Sequence, residues 1–298
     1  MRFLKLQFCM GGLFGLVVVV SLVSVVNGFI MASHTCGNHG VTELQMNSNE
    51  KSKTKRLVLI RHGRTFMNEY LSTPGSKWGD ENFTDIFTKE ENEEYYRDSP
   101  LTMLGQNQAK QLLVSANKQE GEESTSTIWN NVDLVVTSPL IRTLQTMELG
   151  VLPMIVKEES TTTPIVALPL ASERIYLISD IGTDTNILST QFPMVDFTSE
   201  FHSSINWWES KDDEEEEYVE WRPFDKNQTY ACKGETPTQF QKRMMALYDW
   251  LDQRPESTIV LISHWGVIRY LVGDEFENCE MRTYNFYTQV KRDGYKKN

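Results

Sequence analysis

The sequence predicts an α/β fold, a three-layer α/β/α sandwich built on a mostly parallel central sheet. Short apolar runs of strand length alternate with stretches of helical periodicity along the chain. Three of those runs end in polar, chemistry-bearing residues, where open α/β sheets place their ligands. No internal repeat is visible.

The first run, Leu57-Val58-Leu59-Ile60, is flanked by Lys55 and Arg56 and leads into Arg61-His62-Gly63. Pro74, Gly75, Gly79 and the Glu-rich patch around Glu90 to Glu94 then read as a surface insertion at about 71–98. Asp98-Ser99-Pro100-Leu101-Thr102 tightens the pattern. Leu104, Gln108, Leu112 and Ala116 recur at helical spacing and predict a helix from Thr102 to Asn117.

The second strand, Val132 to Val136, runs into Thr137-Ser138-Pro139. Pro139 suits the first turn of a helix to Leu149, which brings Arg142 beside backbone amides that favour anions. Pro164 to Leu168 reads as a third strand, with Glu173 just past it. Ser179 to Gly234 lacks clear periodicity, holds Trp207, Trp208 and Trp221, and reads as an insertion (about 179–234) covering the site. Thr236 and Pro237 supply a cap and a first-turn proline. Phe240, Met244, Leu247 and Leu251 mark that helix's buried face to Gln253. The strand Thr258 to Ile262 leads into Ser263-His264-Trp265-Gly266, followed by a helix from Gly266 to Val272.

Residues 1–54 read as a presequence, outside a single domain at 55–298. Arg2 and Lys5 precede a charge-free stretch through Ser33 whose centre, Leu13 to Val26, is almost purely apolar. That is a secretory signal peptide, cut after Val26-Asn27-Gly28 to expose Phe29, or an uncleaved transmembrane anchor of about 20 residues. The expected localisation is the secretory pathway. Phenylalanine after the cut and an acid-poor stretch to Thr54 resemble the two-part presequence of proteins sent into algal complex plastids.

The net charge of -12 is uneven, because Glu209 to Glu220 carries eight acidic residues against one lysine. That run reads as a solvated loop. No basic stripe or basic helix appears, which argues against a nucleic-acid partner. Membrane contact is expected only if the N-terminal segment stays uncleaved. Cys9, Cys36, Cys232 and Cys279 show no metal-site spacing.

Two histidines and two arginines at one sheet rim fit a phosphate pocket holding a nucleophile. Guanidinium groups bind phosphate oxygens two at a time, which suits Arg61 and Arg142. His264 offers a further donor, and the helix starting near Gly266 a positive dipole end. His62 is the candidate nucleophile. One ring nitrogen must be unprotonated, with a backbone carbonyl holding the proton of the other. Glu173 is the candidate acid for the leaving oxygen, its pKa raised above about 4.3 by burial and by a bound phosphate. The scheme requires no metal and no cofactor.

Arg61-His62-Gly63-Arg64-Thr65 with Asn68, the Asp98 to Thr102 motif with Gly105, Gln108 and Ala109, Ser138-Pro139 with Arg142, Thr143 and Thr146, and Ser263-His264-Trp265-Gly266 resemble the histidine phosphatase superfamily, the phosphoglycerate-mutase-like proteins. The resemblance implies that fold, His62 as the phosphorylated residue, Arg61, Arg142 and His264 as the phosphate pocket, Asn68 as a further phosphate contact and Glu173 as proton donor. It implies a small phosphorylated substrate and a phosphomonoesterase working through phosphohistidine. The rivals are a phosphoglycerate mutase and a non-catalytic phosphate-binding regulator. Glu173 with Asp180-Ile181-Gly182, Phe192-Pro193, Asp196-Phe197, Trp207-Trp208, Gly234-Glu235-Thr236 and Asn278-Cys279-Glu280 is similar to the phosphomutase-like branch of plants and fungi. Arg64 stands where many mutases have glutamate, and the added cation is expected to alter substrate preference.

Overall fold

The computed structural model describes residues 54–73, 93–116, 129–156, 163–203, 205–209 and 234–295, all within the unit Glu50–Asn298. The expected presequence up to residue 53, residues 74–92 of the first insertion and nearly all of the acidic run lie outside the described residues. Among those described, no helix is long and apolar enough to cross a membrane.

Among the described residues, five strands form one sheet: β1 (Arg56–Arg61), β2 (Leu134–Thr137), β3 (Ile165–Ala167), β4 (Thr258–Ser263) and β5 (Met281–Asn285), in the order β3-β2-β4-β1-β5. The first four are parallel to their neighbours, and β5 runs antiparallel to β1. All six residues of β4 are buried. A strand with neighbours on both edges and helices on both faces is apolar without alternation, which is why its run is visible in the sequence. β5 has no counterpart among the expected strands. Its sequence, Met-Arg-Thr-Tyr-Asn, buries only Tyr284, as an edge strand can, and so carries no apolar run.

Strand side chains alternate between two cores. Leu57, Leu59, Leu134, Val136, Ile259 and Leu261 face the helices Pro237–Gln253 and Trp265–Val272. Val58, Ile60, Val135, Val260 and Ile262 face Leu112, Leu144, Met147 and Val151 on the other side. The sandwich is therefore three-layered, with its helices in the two outer layers. The helix Pro237–Gln253 matches its predicted span because each signal is realised. Thr236 accepts from the Gln239 amide, the Gln239 side chain caps Thr236 in return, and Pro237 occupies the first turn. Its far end is capped by the buried Lys55, whose ammonium donates to the carbonyls of Leu251, Asp252 and Arg254.

Three expectations need correction. The helix at 102–117 exists as Met103–Ala116, but Leu104, which helped to predict it, is 51% exposed. The buried stripe is Gly105, Ala109 and Leu112. Backbone closeness explains the choice: a Cβ on Gly105 would stand 2.0 Å from the Arg64 carbonyl oxygen, and one on Gly150 would stand 2.6 Å from that of Ala109. Small residues make this contact, and hydrophobic periodicity does not register them.

The helix carrying Arg142 starts at Ile141 rather than Pro139 and continues past Leu149 through a wider turn, Met147–Val151, to Ile155. The wide turn precedes Pro153, which has no amide to offer an ordinary turn. The segment from Ser179 is not merely a covering insertion. A helix at Thr185–Gln191, capped by Asp184, buries Leu188, and Phe192, Val195 and Phe197 join the second core.

Candidate active site

The carboxyl ends of β1, β2 and β4 meet at one rim. His62, just past β1, is buried and borders a pocket of about 770 Å³. Its Nδ1 lies 2.7 Å from the Gly63 carbonyl oxygen. That carbonyl can only accept, so Nδ1 carries the proton and Nε2 keeps a free lone pair. Burial, with Arg142 and Arg61 beside it, holds the imidazole well below its ordinary pKa and so keeps it neutral. Gly63 itself is fixed by donating to Thr146 Oγ1 at 3.0 Å and by packing against Gly105, whose oxygen would sit 2.7 Å from any added Cβ. The motif around Gly105 thus shapes the nucleophile's turn from outside the pocket.

Arg142 crosses from the second helical layer. Its guanidinium donates through Nε to His264 Nδ1 (3.2 Å), through Nη1 to the Ser179 carbonyl and through Nη2 to Asp180 Oδ1 (2.9 Å). Three of its five N–H groups are thereby used, leaving one on each terminal nitrogen for a ligand. Asp180 is held in turn by the amides of Tyr176 and Leu177. Arg61 donates to the Phe276 carbonyl, while its Nε is buried without a partner among the described residues. A buried orphan donor on a cation is a place where a bound anion fits.

Glu173 lies on the loop after β3. Its carboxylate accepts from the Arg174 amide (2.9 Å) and the Gly266 amide (3.0 Å). Burial foremost, then the nearby Asp180 charge, pushes its pKa up; the two amides pull the other way. The loop is clamped by Arg243, which uses all five donors. Nε and Nη2 take the two oxygens of Glu235, Nη1 takes the Leu170 and Ser172 carbonyls, and Nη2 also reaches the Glu173 carbonyl.

His62, Arg61, Arg142 and Glu173 are thus brought together, all bordering the pocket. His264 is brought close too, with its ring centroid 5.2 Å from that of His62. It is fully buried, however, and both nitrogens are engaged: Nδ1 accepts from Arg142, so Nε2 donates to Ser138 Oγ at 2.8 Å. The two imidazoles touch, so no anion fits between them, and His264 buttresses Arg142 instead of offering a bare donor. Asn68 borders the pocket as well: its Oδ1 accepts from the Thr65 amide as part of a helix cap, which leaves Nδ2, the atom able to donate to a phosphate oxygen. The helix at Gly266 points an amide at Glu173, not at the nucleophile. Arg64 lies outside the pocket lining: it donates to Ser72 Oγ and sits 3.8 Å from Glu69, so it adds no cation there.

Sequence reasoning passes over several partners. In the sequence Asp98 figures only as part of a motif. It accepts from the Ile141 amide and from Thr183 Oγ1, each at 2.8 Å, tying the start of the Arg142 helix to the segment after Asp180. Burial raises its pKa to about 6. Gly266 leaves room for the carboxylate where it lies, since a Cβ there would stand 2.4 Å from a Glu173 oxygen and displace it. Only the folded loop reveals that contact.

The family model of the histidine phosphatase superfamily (branch 1) matches residues 202–286, the part that carries His264. The plant and fungal branch is not distinguished by the match. Solved structures that resemble this chain include the ecdysone phosphate phosphatase of Bombix mori in complex with tungstate (17% identity, 82% of this chain and 95% of that one, TM-score 0.45). The alpha-ribazole phosphatase of Shigella flexneri shares 16% identity over 82% of this chain and 100% of that one, at TM-score 0.42. A phosphoglycerate mutase from Thermus thermophilus shares 17% over 79% and 96%, at TM-score 0.39. No curated protein matches the sequence.

Proposed function

We propose that the protein is a metal-independent phosphomonoesterase that works through a phosphohistidine on His62. The observation that carries this reading is the Nδ1 contact to the Gly63 carbonyl, which fixes the tautomer with Nε2 unprotonated beside two guanidinium groups. In the first half-reaction the Nε2 lone pair forms the N–P bond as the ester P–O bond breaks. Arg61 and the two spare N–H groups of Arg142 neutralise the phosphoryl oxygens, and Glu173 gives its proton to the departing alkoxide. In the second, water attacks phosphorus, Glu173 takes the water's proton and the N–P bond breaks. His264 keeps Arg142 aligned, and Asp180 fixes its far side.

Hydrolysis is favoured over mutase chemistry by the pocket's open mouth. His62 and the half-exposed Trp265 line the same pocket, which offers water a route to a phosphoenzyme formed there. Incubating the full protein with para-nitrophenyl phosphate and with 3-phosphoglycerate, in EDTA, tests the reading. Released phosphate supports it; 2-phosphoglycerate without phosphate release supports a mutase, and no reaction a binding protein. Strong inhibition by EDTA contradicts the proposed chemistry.

A further inference from the structure

The phosphoryl-transfer groups occupy only the floor of the pocket. Its volume of about 770 Å³ is in the range that holds drug-sized ligands, far more than a phosphate with a three-carbon alcohol fills. The remaining wall is built from aromatic and aliphatic side chains on four separate elements: Phe240, Trp265, Tyr270, Tyr176, Met67 and Leu71. Trp265 presents a large apolar surface to solvent at the rim while its indole N–H is held by Glu275. An exposed, anchored aromatic at a pocket mouth is suited to stacking on a ligand.

Two cations also border this wall, and both are committed within the protein. Arg269 is ion-paired with Glu275 and lies over the Trp265 ring, 4.9 Å from its centroid. Arg174 donates to the Glu235 carbonyl and lies over the Tyr176 ring at 4.8 Å. Stacked guanidinium–aromatic pairs extend the flat surface. A second anionic group on a substrate would have to draw on charges that already have partners.

We infer that the natural substrate class is a phosphomonoester of an alcohol carrying a bulky, flat, apolar group, in preference to a small polyanionic ester such as a phosphoglycerate. This rests on the phosphomonoesterase reading, and the test separates the two. With the full protein, 2-(2-naphthyl)ethyl phosphate is compared with ethyl phosphate. Both leaving groups are simple alkoxides, so the chemical step is matched and the difference reads the wall. The expected result is a kcat/KM at least about tenfold higher for the naphthyl ester, mostly through KM, and 3-phosphoglycerate below both. Phe240→Ala and Trp265→Ala should each reduce the naphthyl preference severalfold. Turnover of both esters with equal kcat/KM would overturn the substrate class and leave the phosphatase reading standing. If no ester is turned over, the phosphatase reading fails, and binding decides the substrate class. 2-(2-naphthyl)ethylphosphonate should bind at least about tenfold more tightly than ethylphosphonate by calorimetry. Equal dissociation constants would overturn the inference.

Discussion

Glu173 and Gly266 are in mutual contact through a space that only glycine leaves open. The Gly266 amide donates to Glu173 Oε2 at 3.0 Å, and an added Cβ would stand 2.4 Å from Oε1. Gly266→Ala must therefore push the carboxyl out of place. If Glu173 protonates the leaving oxygen, the variant should lose about a hundredfold in kcat on an alkyl phosphate and much less on para-nitrophenyl phosphate, whose leaving group needs little protonation. Equal losses on the two esters would move the acid role away from Glu173.

Asp180 sets the acidity of Glu173 from a distance. Its negative charge helps to raise the Glu173 pKa. Asp180→Asn removes that charge, so Glu173 gives up its proton at lower pH. The alkaline limb of the kcat profile on an alkyl phosphate should move to lower pH, and a limb that stays or moves upward would show that the two carboxyls are not coupled. Freed from Asp180, Arg142 should also hold product phosphate more tightly, readable as a lower inhibition constant.

Arg243 is a positioning residue. Its bonds to the Leu170, Ser172 and Glu173 carbonyls, backed by Glu235, tether the loop on which Glu173 sits. Arg243→Ala leaves Glu235 buried and unpaired, a loss of about 3 kcal/mol in denaturant unfolding. The variant should also narrow the pH range of alkyl phosphate turnover. A purely structural role would lower stability and leave the pH profile in place. Arg243→Lys should restore little, because one ammonium cannot replace five donors in a plane.

His62 gives a stability signature. Folded, its pKa lies well below 6.5; unfolded, it returns to about 6.5. The unfolded chain therefore takes up the extra proton, and the folded state loses stability as the pH falls through that window. From pH 7 to 6 the loss is on the order of 1 kcal/mol or less for this one group. The variant His62→Asn should lose that much less than wild type over the same interval. Asp98, raised to about 6, acts in the opposite direction in both proteins and cancels from the comparison.

The buried parts of this molecule are legible in its sequence, and the polar edges are obscure. β1, β2 and β4 are readable because strands covered on both faces are apolar throughout, and the same logic places the residues after them at the rim. The helix Pro237–Gln253 is readable because its cap and its first-turn proline are local signals. β5 carries polar side chains at an edge, and Thr185–Gln191 is short, so neither leaves a periodic trace. In the site, His62 and Arg142 announce themselves by position. The engagement of His264 with Ser138 and Arg142, and of Asn68 with Thr65, follows from distances that no spacing rule encodes. The same holds for Arg64, whose side chain turns toward Ser72.

The most direct measurement is rapid acid-free quenching of the protein during turnover of para-nitrophenyl phosphate, followed by peptide mass spectrometry under neutral conditions. A phosphoryl group on His62, absent from His62→Ala, acid-labile and chased away by water at the rate of turnover, is the predicted result. Turnover at the wild-type rate by His62→Ala, or a phosphoryl group trapped elsewhere, would contradict the account at its centre.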